Sequence, residues 1–279
     1  WIFDDVNQDG ELNAVDIVRL KKQIVGIDNN TVYVANYGSD KASGSAVQPL
    51  SSFEKALEKV DDFGVIEFFG DNSIDSSFEW KNHNKRITVT GDTLDFTGMN
   101  GTNLILGDSV IFDDITLNFD NNDYLFANGH SLCINEDVVL NGVIRLYGGG
   151  VKDSVINGDT NIKVLSGTYE GIYGGSNNGT INGNTNVYVG GNVNSSITIN
   201  HVEKYFVYGG GVGGTITGDT NVTFTDNAKA EVVIGGYNGW SNGRIYGNTN
   251  VLISGGEMMG VYGGNYFGYN WEQFDKNKS

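Results

Sequence analysis

The chain has 279 residues, enough for one large domain and a small appendage, and carries 17 Lys+Arg against 34 Asp+Glu for a formal charge of −17. Such a surface repels phosphate backbones and anionic lipid, which argues against nucleic acid and against membrane surfaces as partners. With one cysteine, Cys133, an intrachain disulfide is excluded, and Cys133 is expected as a small buried apolar residue. No apolar run reaches the roughly 20 residues of a membrane span, so direct membrane insertion is not expected. The opening residues also lack a charged-then-apolar leader, and a mature secreted fragment is the expectation. Gly 41 against Pro 1 points to many tight turns between short strands.

Residues 5–16 place oxygen-bearing side chains at loop positions 1, 3, 5, 9 and 12, with Gly10 at position 6. Calcium takes six to eight hard oxygen ligands, and Gly10 permits the sharp turn that gathers Asp5, Asn7 and Asp9 around one ion. Glu11 contributes its backbone carbonyl, Asn13 acts through water, and Asp16 closes the loop. Ile17, Leu20 and Ile24 then recur on one face of a helix that Gly26 stops. The Asp-x-Asn-x-Asp-Gly loop closed by Asp16, with Leu20, Lys21 and Lys22 on the helix, resembles a dockerin type I repeat. That resemblance implies a Ca2+ site and a cohesin module on a scaffolding protein as partner, touched by Ala14, Val15, Lys21 and Lys22. Only one such repeat is visible, so residues 1–26 are read as half of a full module, whose other repeat is expected upstream.

Residues 27–279 form the second domain. Thr31 to Ala35 reads as a strand, and Ser51 with Glu54 has the pattern of a capping box ahead of Phe53, Ala56, Leu57 and Val60, one apolar helix face. An apolar strand follows from Val65. This order of Tyr-Val-x-x-x-Gly-Ser-Asp, Pro49, amphipathic helix and strand resembles the capped start of pectate-lyase-like proteins. The resemblance implies a right-handed parallel β-helix whose open end the helix lids.

From Ile87 onward, short β-rich runs alternate with Gly, Asn and Asp. A pentapeptide of the form Gly-(Asp/Asn)-Thr-Asn-(Ile/Val) begins at Gly158, Gly183, Gly218 and Gly247, at intervals of 25, 35 and 29. A second motif, Tyr-Gly-Gly, keeps pace with it at Tyr147, Tyr173, Tyr208 and Tyr262, with Ile234 in the same place. Two motifs in fixed alternation mean one repeated unit, and such short units predict an all-β solenoid with one repeat per rung. A β-propeller is the rival, although its blades need about 40 residues. In a parallel β-helix, Asn161, Asn186, Asn221 and Asn250 would stack about 4.8 Å apart as a hydrogen-bonded ladder. The long interval places an insertion near residues 194–204, where a functional loop is expected.

The search for chemistry finds residue types without a motif. Lys85, Arg86, Arg145, Lys163 and Arg244 are candidate lyase bases by type only, with salt bridging as the ordinary reading. Asp113 and Asp114, with Asp95, Asp120 and Asp123, are candidate hydrolase carboxylates, with turn aspartates as the ordinary reading. Gly129-His130-Ser131 only partly matches the Gly-His-Gly turn of the family hydrolases, and His83, His130 and His201 show no metal spacing. Aromatics crowd the C-terminal region, and Trp240 and Trp271, outside the repeat positions, are candidate sugar-stacking rings. The repeated tyrosines are expected to stack on one another.

The expectation is a secreted, cell-surface or cellulosome-like protein that handles polysaccharide through noncatalytic glycan binding or adhesion. The alternative is a polysaccharide lyase or glycoside hydrolase acting on plant or host glycan.

Overall fold

The computed structural model describes residues 30–99, 101, 103–195, 206–237 and 243–265. The calcium-loop residues Asp5, Asn7, Asp9, Glu11, Asn13 and Asp16, the partner-binding set Ala14, Val15, Lys21 and Lys22, and both Trp240 and Trp271 lie outside the described residues. His201 does too.

The chain winds into a parallel β-solenoid of about 7 turns. Three sheets run along its axis, with 11, 8 and 4 strands. Every strand pairs in parallel with its neighbours one turn away. In the first sheet Thr160–Val164 pairs with Thr185–Val189, which pairs with Thr220–Phe224, which pairs with Thr249–Ile253. Equivalent residues meet in register, Asn161 opposite Asn186, then Asn221, then Asn250. Each repeat is therefore one rung, and the parallel ladder between repeats rules out propeller blades, which are antiparallel within themselves.

Alternation sorts the side chains. In Thr160–Val164 the buried positions are Thr160, Ile162 and Val164, while Asn161 and Lys163 are exposed. Ile162, Val187 and Val222 join Leu146, Ile172 and Val207 of the second sheet in one continuous core. Asn186, Asn221 and Asn250 each donate from Nδ2 to the Oδ1 of the preceding asparagine at 3.0, 2.9 and 2.9 Å, so the ladder expected from the repeat is formed.

The two repeated motifs meet at one corner of the rung. Thr160 Oγ1 donates to the Gly174 carbonyl at 2.7 Å, and Thr185 does the same to Gly209. The first glycine of Tyr-Gly-Gly is required there, because a Cβ on Gly174 would lie 2.4 Å from the Gly209 carbonyl oxygen of the next rung.

Among the described residues the one α-helix is Phe53–Lys59, with Phe53, Ala56 and Leu57 buried as the apolar spacing predicts. It packs against the strand Thr31–Ala35. Its N-cap is Ser52, not Ser51, and the side chain of Ser52 accepts from Lys55 N. The Asp40 carboxylate explains the shift by one residue, since it accepts from the backbone N–H groups of both Ser51 and Ser52 and so holds them outside the helix. At the other end, Lys85 Nζ donates to the carbonyls of Leu57 and Glu58, the groups that a helix end leaves unpaired. Among the described residues no helix is long and apolar enough to cross a membrane.

Candidate functional site

The second sheet carries an outward-facing aromatic stripe. Phe126, Tyr147, Tyr173 and Tyr208 occupy the same rung position and stack with centroids 4.9, 4.6 and 4.9 Å apart and rings within 16° of parallel. Because the rings lie face to face along the solenoid axis, each covers its neighbour's faces. They are buried, with Tyr147 at 2 % and Tyr208 at 1 % exposure. The repeated tyrosines are thus a structural stack and offer no flat platform for a sugar.

Beside this stack lies a cleft of about 400 Å³ lined by Tyr124, Arg145, Tyr147, Glu170, Tyr173, Asn177, Phe206 and Val212. Its origin is a break in the repeat. Ile144 pairs with Tyr169, but Arg145 pairs with Gly171, so Glu170 is an extra residue bulged out of the ladder. Bulges re-aim side chains, and this one sets Glu170 beside Arg145. Arg145 donates to Glu170 Oε1 and to the Tyr124 hydroxyl, and its guanidinium lies 5.3 Å from the Tyr124 ring centroid. Gly171 then stands between Arg145 of the preceding rung and Phe206 of the following one. A Cβ on Gly171 would meet the Tyr173 ring at 2.7 Å, so the missing side chain lets that ring lie over the backbone.

The strand Lys229–Ile234 pairs first with Asn194–Ser195 and then with Phe206–Tyr208. Asn194–Ser195 and Phe206–Tyr208 therefore face the same neighbouring strand of the second sheet. On the preceding rung Thr168 bridges Asn194 and Gly171 pairs with Phe206.

Burial works against the Arg145 charge, but the hydrogen bond and charge of Glu170 outweigh it and raise the guanidinium pKa further. Arg145 is permanently cationic. Glu170 Oε2 is buried, and no hydrogen-bond partner meets it among the described residues. Burial also raises the phenol pKa of Tyr147, and that of Tyr173 is pushed up to about 12. The cleft therefore holds one matched ion pair, neutral phenols and one carboxylate oxygen in need of a donor.

The other candidates are placed elsewhere. Arg86 pairs with Asp62 and stacks on Phe63, Lys163 lies over the Tyr188 ring, and Arg244 donates to Tyr246. Asp113 accepts from Asn135 Nδ2, while Asp114 sits at φ 43 in a turn whose carbonyl accepts from Gly91. Asp95 accepts from Thr97, and Asp123 from the Asp120 backbone. None of these aspartates lines the cleft. His83 bonds the buried Asp108, which also takes Trp80 Nε1 and Lys85 N and so ties that end of the coil together. Burial pushes His130 below the usual imidazole range. Among the described residues no group of three or more His, Cys, Asp or Glu side chains gathers as a metal site.

No family model, no curated protein and no solved structure matches this chain.

Sequence reasoning missed Glu170 and Tyr124. The available signal was the Gly171-Ile172-Tyr173 run, in which a glycine stands where the rungs on either side carry Arg145 and Phe206, just before the long interval.

Proposed function

We propose that this chain is a secreted, noncatalytic glycan-binding protein whose solenoid is a right-handed β-helix of the pectate-lyase-like kind with Phe53–Lys59 as its end cap. The observation that carries the reading is the cleft beside the aromatic stack, where a paired Arg145–Glu170, the Asn177 amide and aromatic edges line one depression. Sugar sites combine apolar ring surface with a few placed polar groups, and this lining has that character.

The same side chains weigh against catalysis in the cleft. A lyase needs a base able to accept a proton, and the Arg145 guanidinium is protonated on its own account, a state that Glu170 strengthens further. A glycosidase of the usual kind needs two carboxyl groups about 5–9 Å apart. Among the described residues that line the cleft, Glu170 is the one carboxylate. A polysaccharide lyase or glycoside hydrolase remains the alternative outcome of the assay below.

We further propose that residues 1–26 bind Ca2+ and dock to a cohesin module, bringing the solenoid to a cell-surface or cellulosome-like assembly. Asp5, Asn7, Asp9 and Asp16 offer hard side-chain oxygens, Glu11 a carbonyl and Asn13 a water-mediated contact, and that donor set fits calcium. Binding of the ion would order the loop and helix that carry Ala14, Val15, Lys21 and Lys22.

The test is a glycan array run beside reducing-end and unsaturated-product assays on the full chain, with calcium titration of the same sample. Binding without product supports the reading, and turnover overturns its noncatalytic part. Calcium uptake that is absent, or that survives Asp5→Ala with Asp9→Ala, overturns the docking part.

A further inference from the structure

Among the described residues the two ends of the solenoid differ. At the first rung Val32 and Val34 are buried in one core with Phe53, Ala56 and Leu57 of the helix. At the last, Val251, Ile253, Met258 and Val261 stand in register with Val222, Phe224, Ala230 and Val233, none of which is more than 5 % exposed. Yet Val261 is 46 % exposed, and Val251, Ile253 and Met258 are only half-buried. The strands Arg244–Ile245, Thr249–Ile253 and Glu257–Tyr262 each pair on one side only among the described residues. A Cβ on Gly235 would lie 2.4 Å from the Gly263 carbonyl oxygen, whereas one on Gly263 or Gly264 meets nothing within 4 Å. The described rungs therefore stop with the core open at this end.

We propose that residues 266–279 of the same chain close this end, laying Phe267, Trp271 and Phe274 on Val251, Ile253, Met258 and Val261. Asn265 Oδ1 accepts from Tyr237 N at 2.9 Å and the Gly264 carbonyl from Gly236 N, so the chain leaves the described residues at the rim of the open rung. The 14 residues that follow reach about 45 Å extended or about 21 Å as a helix, against about 10 Å between facing sheets. None of them repeats the Gly-(Asp/Asn)-Thr-Asn-(Ile/Val) motif that builds a rung. Phe267, Trp271 and Phe274 recur at i, i+4 and i+7, the spacing by which Phe53, Leu57 and Val60 enter the core at the other end. Glu272 and Lys276 fall on the opposite side of that pattern. Tethering at the rim favours this segment over a second copy of the chain, which would have to meet the end from solution. Closure also withholds strand edges and apolar surface from other chains. Trp271 is then a packing ring in place of the sugar-stacking one expected from the sequence, whatever the cleft binds.

Hydrogen exchange of the full chain, read by mass spectrometry, tests this. Peptides from 249–262 should be protected as well as those from 220–234 at every protein concentration. Trp271→Ala combined with Phe274→Ala should speed exchange at 249–262 about tenfold or more and leave 160–189 unchanged, with circular dichroism showing that the strands persist. Fast exchange at 249–262 in the unaltered chain overturns the proposal whether or not the variant folds. Protection that the double variant keeps also overturns it, because something other than these rings then covers the end. Protection that disappears on dilution overturns it in favour of a second copy.

Discussion

The Thr185 hydroxyl donates to the Gly209 carbonyl at 2.6 Å, and both groups are buried where the first sheet's strand begins and the second sheet's strand ends. Thr160 and Thr220 make the same bond to Gly174 and Gly235, so this contact closes successive rungs. Valine has nearly the same shape as threonine but no donor. Thr185→Val should therefore cost about 1–3 kcal/mol, the price of a buried unsatisfied carbonyl. Thr185→Ser keeps the bond and loses a methyl, for about 0.8 kcal/mol. Urea denaturation of the two variants is the measurement. If serine proves as damaging as valine, the methyl rather than the hydroxyl closes the corner.

The tyrosine stack makes the fold sensitive to alkali. Burial raises the pKa values of Tyr147, Tyr169, Tyr173 and Tyr237, with Tyr173 near 12 against an ordinary value of 10.0. The native state holds these phenols protonated, and a raised folded pKa contributes stability that is complete below the unfolded value. Its contribution is lost as pH rises through the folded one. Stability should fall between about pH 10 and 12, and ultraviolet absorbance should show buried phenols ionising only as the chain unfolds. Tyr173→Phe should flatten part of that fall. A titration in which every phenol ionises near pH 10 with the fold intact would contradict the burial.

Cys133 is a reporter of the same packing. It is 7 % exposed, its thiol lies 3.1 Å from Asn135 Oδ1, and burial pushes its pKa up to about 11. Since the thiolate is the reactive form, native protein at pH 8 should resist a thiol reagent and react stoichiometrically in denaturant. Rapid labelling of the native chain would show that this rung opens.

The rungs were legible because a solenoid stacks like residues on like. The Thr-Asn pairs at Thr160, Thr185, Thr220 and Thr249 recur in sequence because they are hydrogen-bonded neighbours in space. The tyrosine stack could be read for the same reason. The cleft could not, because it depends on a departure from the repeat. Glu170 gains its position from a one-residue offset between Arg145 and Gly171, and an offset in pairing leaves no periodic trace. The helix start shows a related limit. The spacing to Glu54 singles out Ser51 as the cap, and only the distant Asp40, which accepts from both serine N–H groups, moves the cap to Ser52.

The alternation of Asp and Asn before the repeated threonine sets the last prediction. Asp159, Asn184, Asp219 and Asn248 occupy one corner position on four successive rungs. Asn184 Nδ2 and N donate to Asp159, its Oδ1 accepts from Asp219 N, and Asn248 donates in turn to Asp219. Asn184 stands between the Asp159 and Asp219 carboxylates, on rungs about 4.8 Å apart. Asn184→Asp would set three carboxylates in a row and remove the Nδ2 donor. Two like-charge contacts in a solvated setting cost about 1 kcal/mol each, and the lost hydrogen bond about as much again. The variant should therefore lose about 2–3 kcal/mol at neutral pH and low salt. Screening weakens exposed repulsion, so added salt should restore part of this. Asn184→Ala loses the same donor without adding charge, so its deficit should not respond to salt. Urea midpoints of both variants at low and high salt distinguish the contributions. Equal salt responses would mean that the alternation serves hydrogen bonding alone.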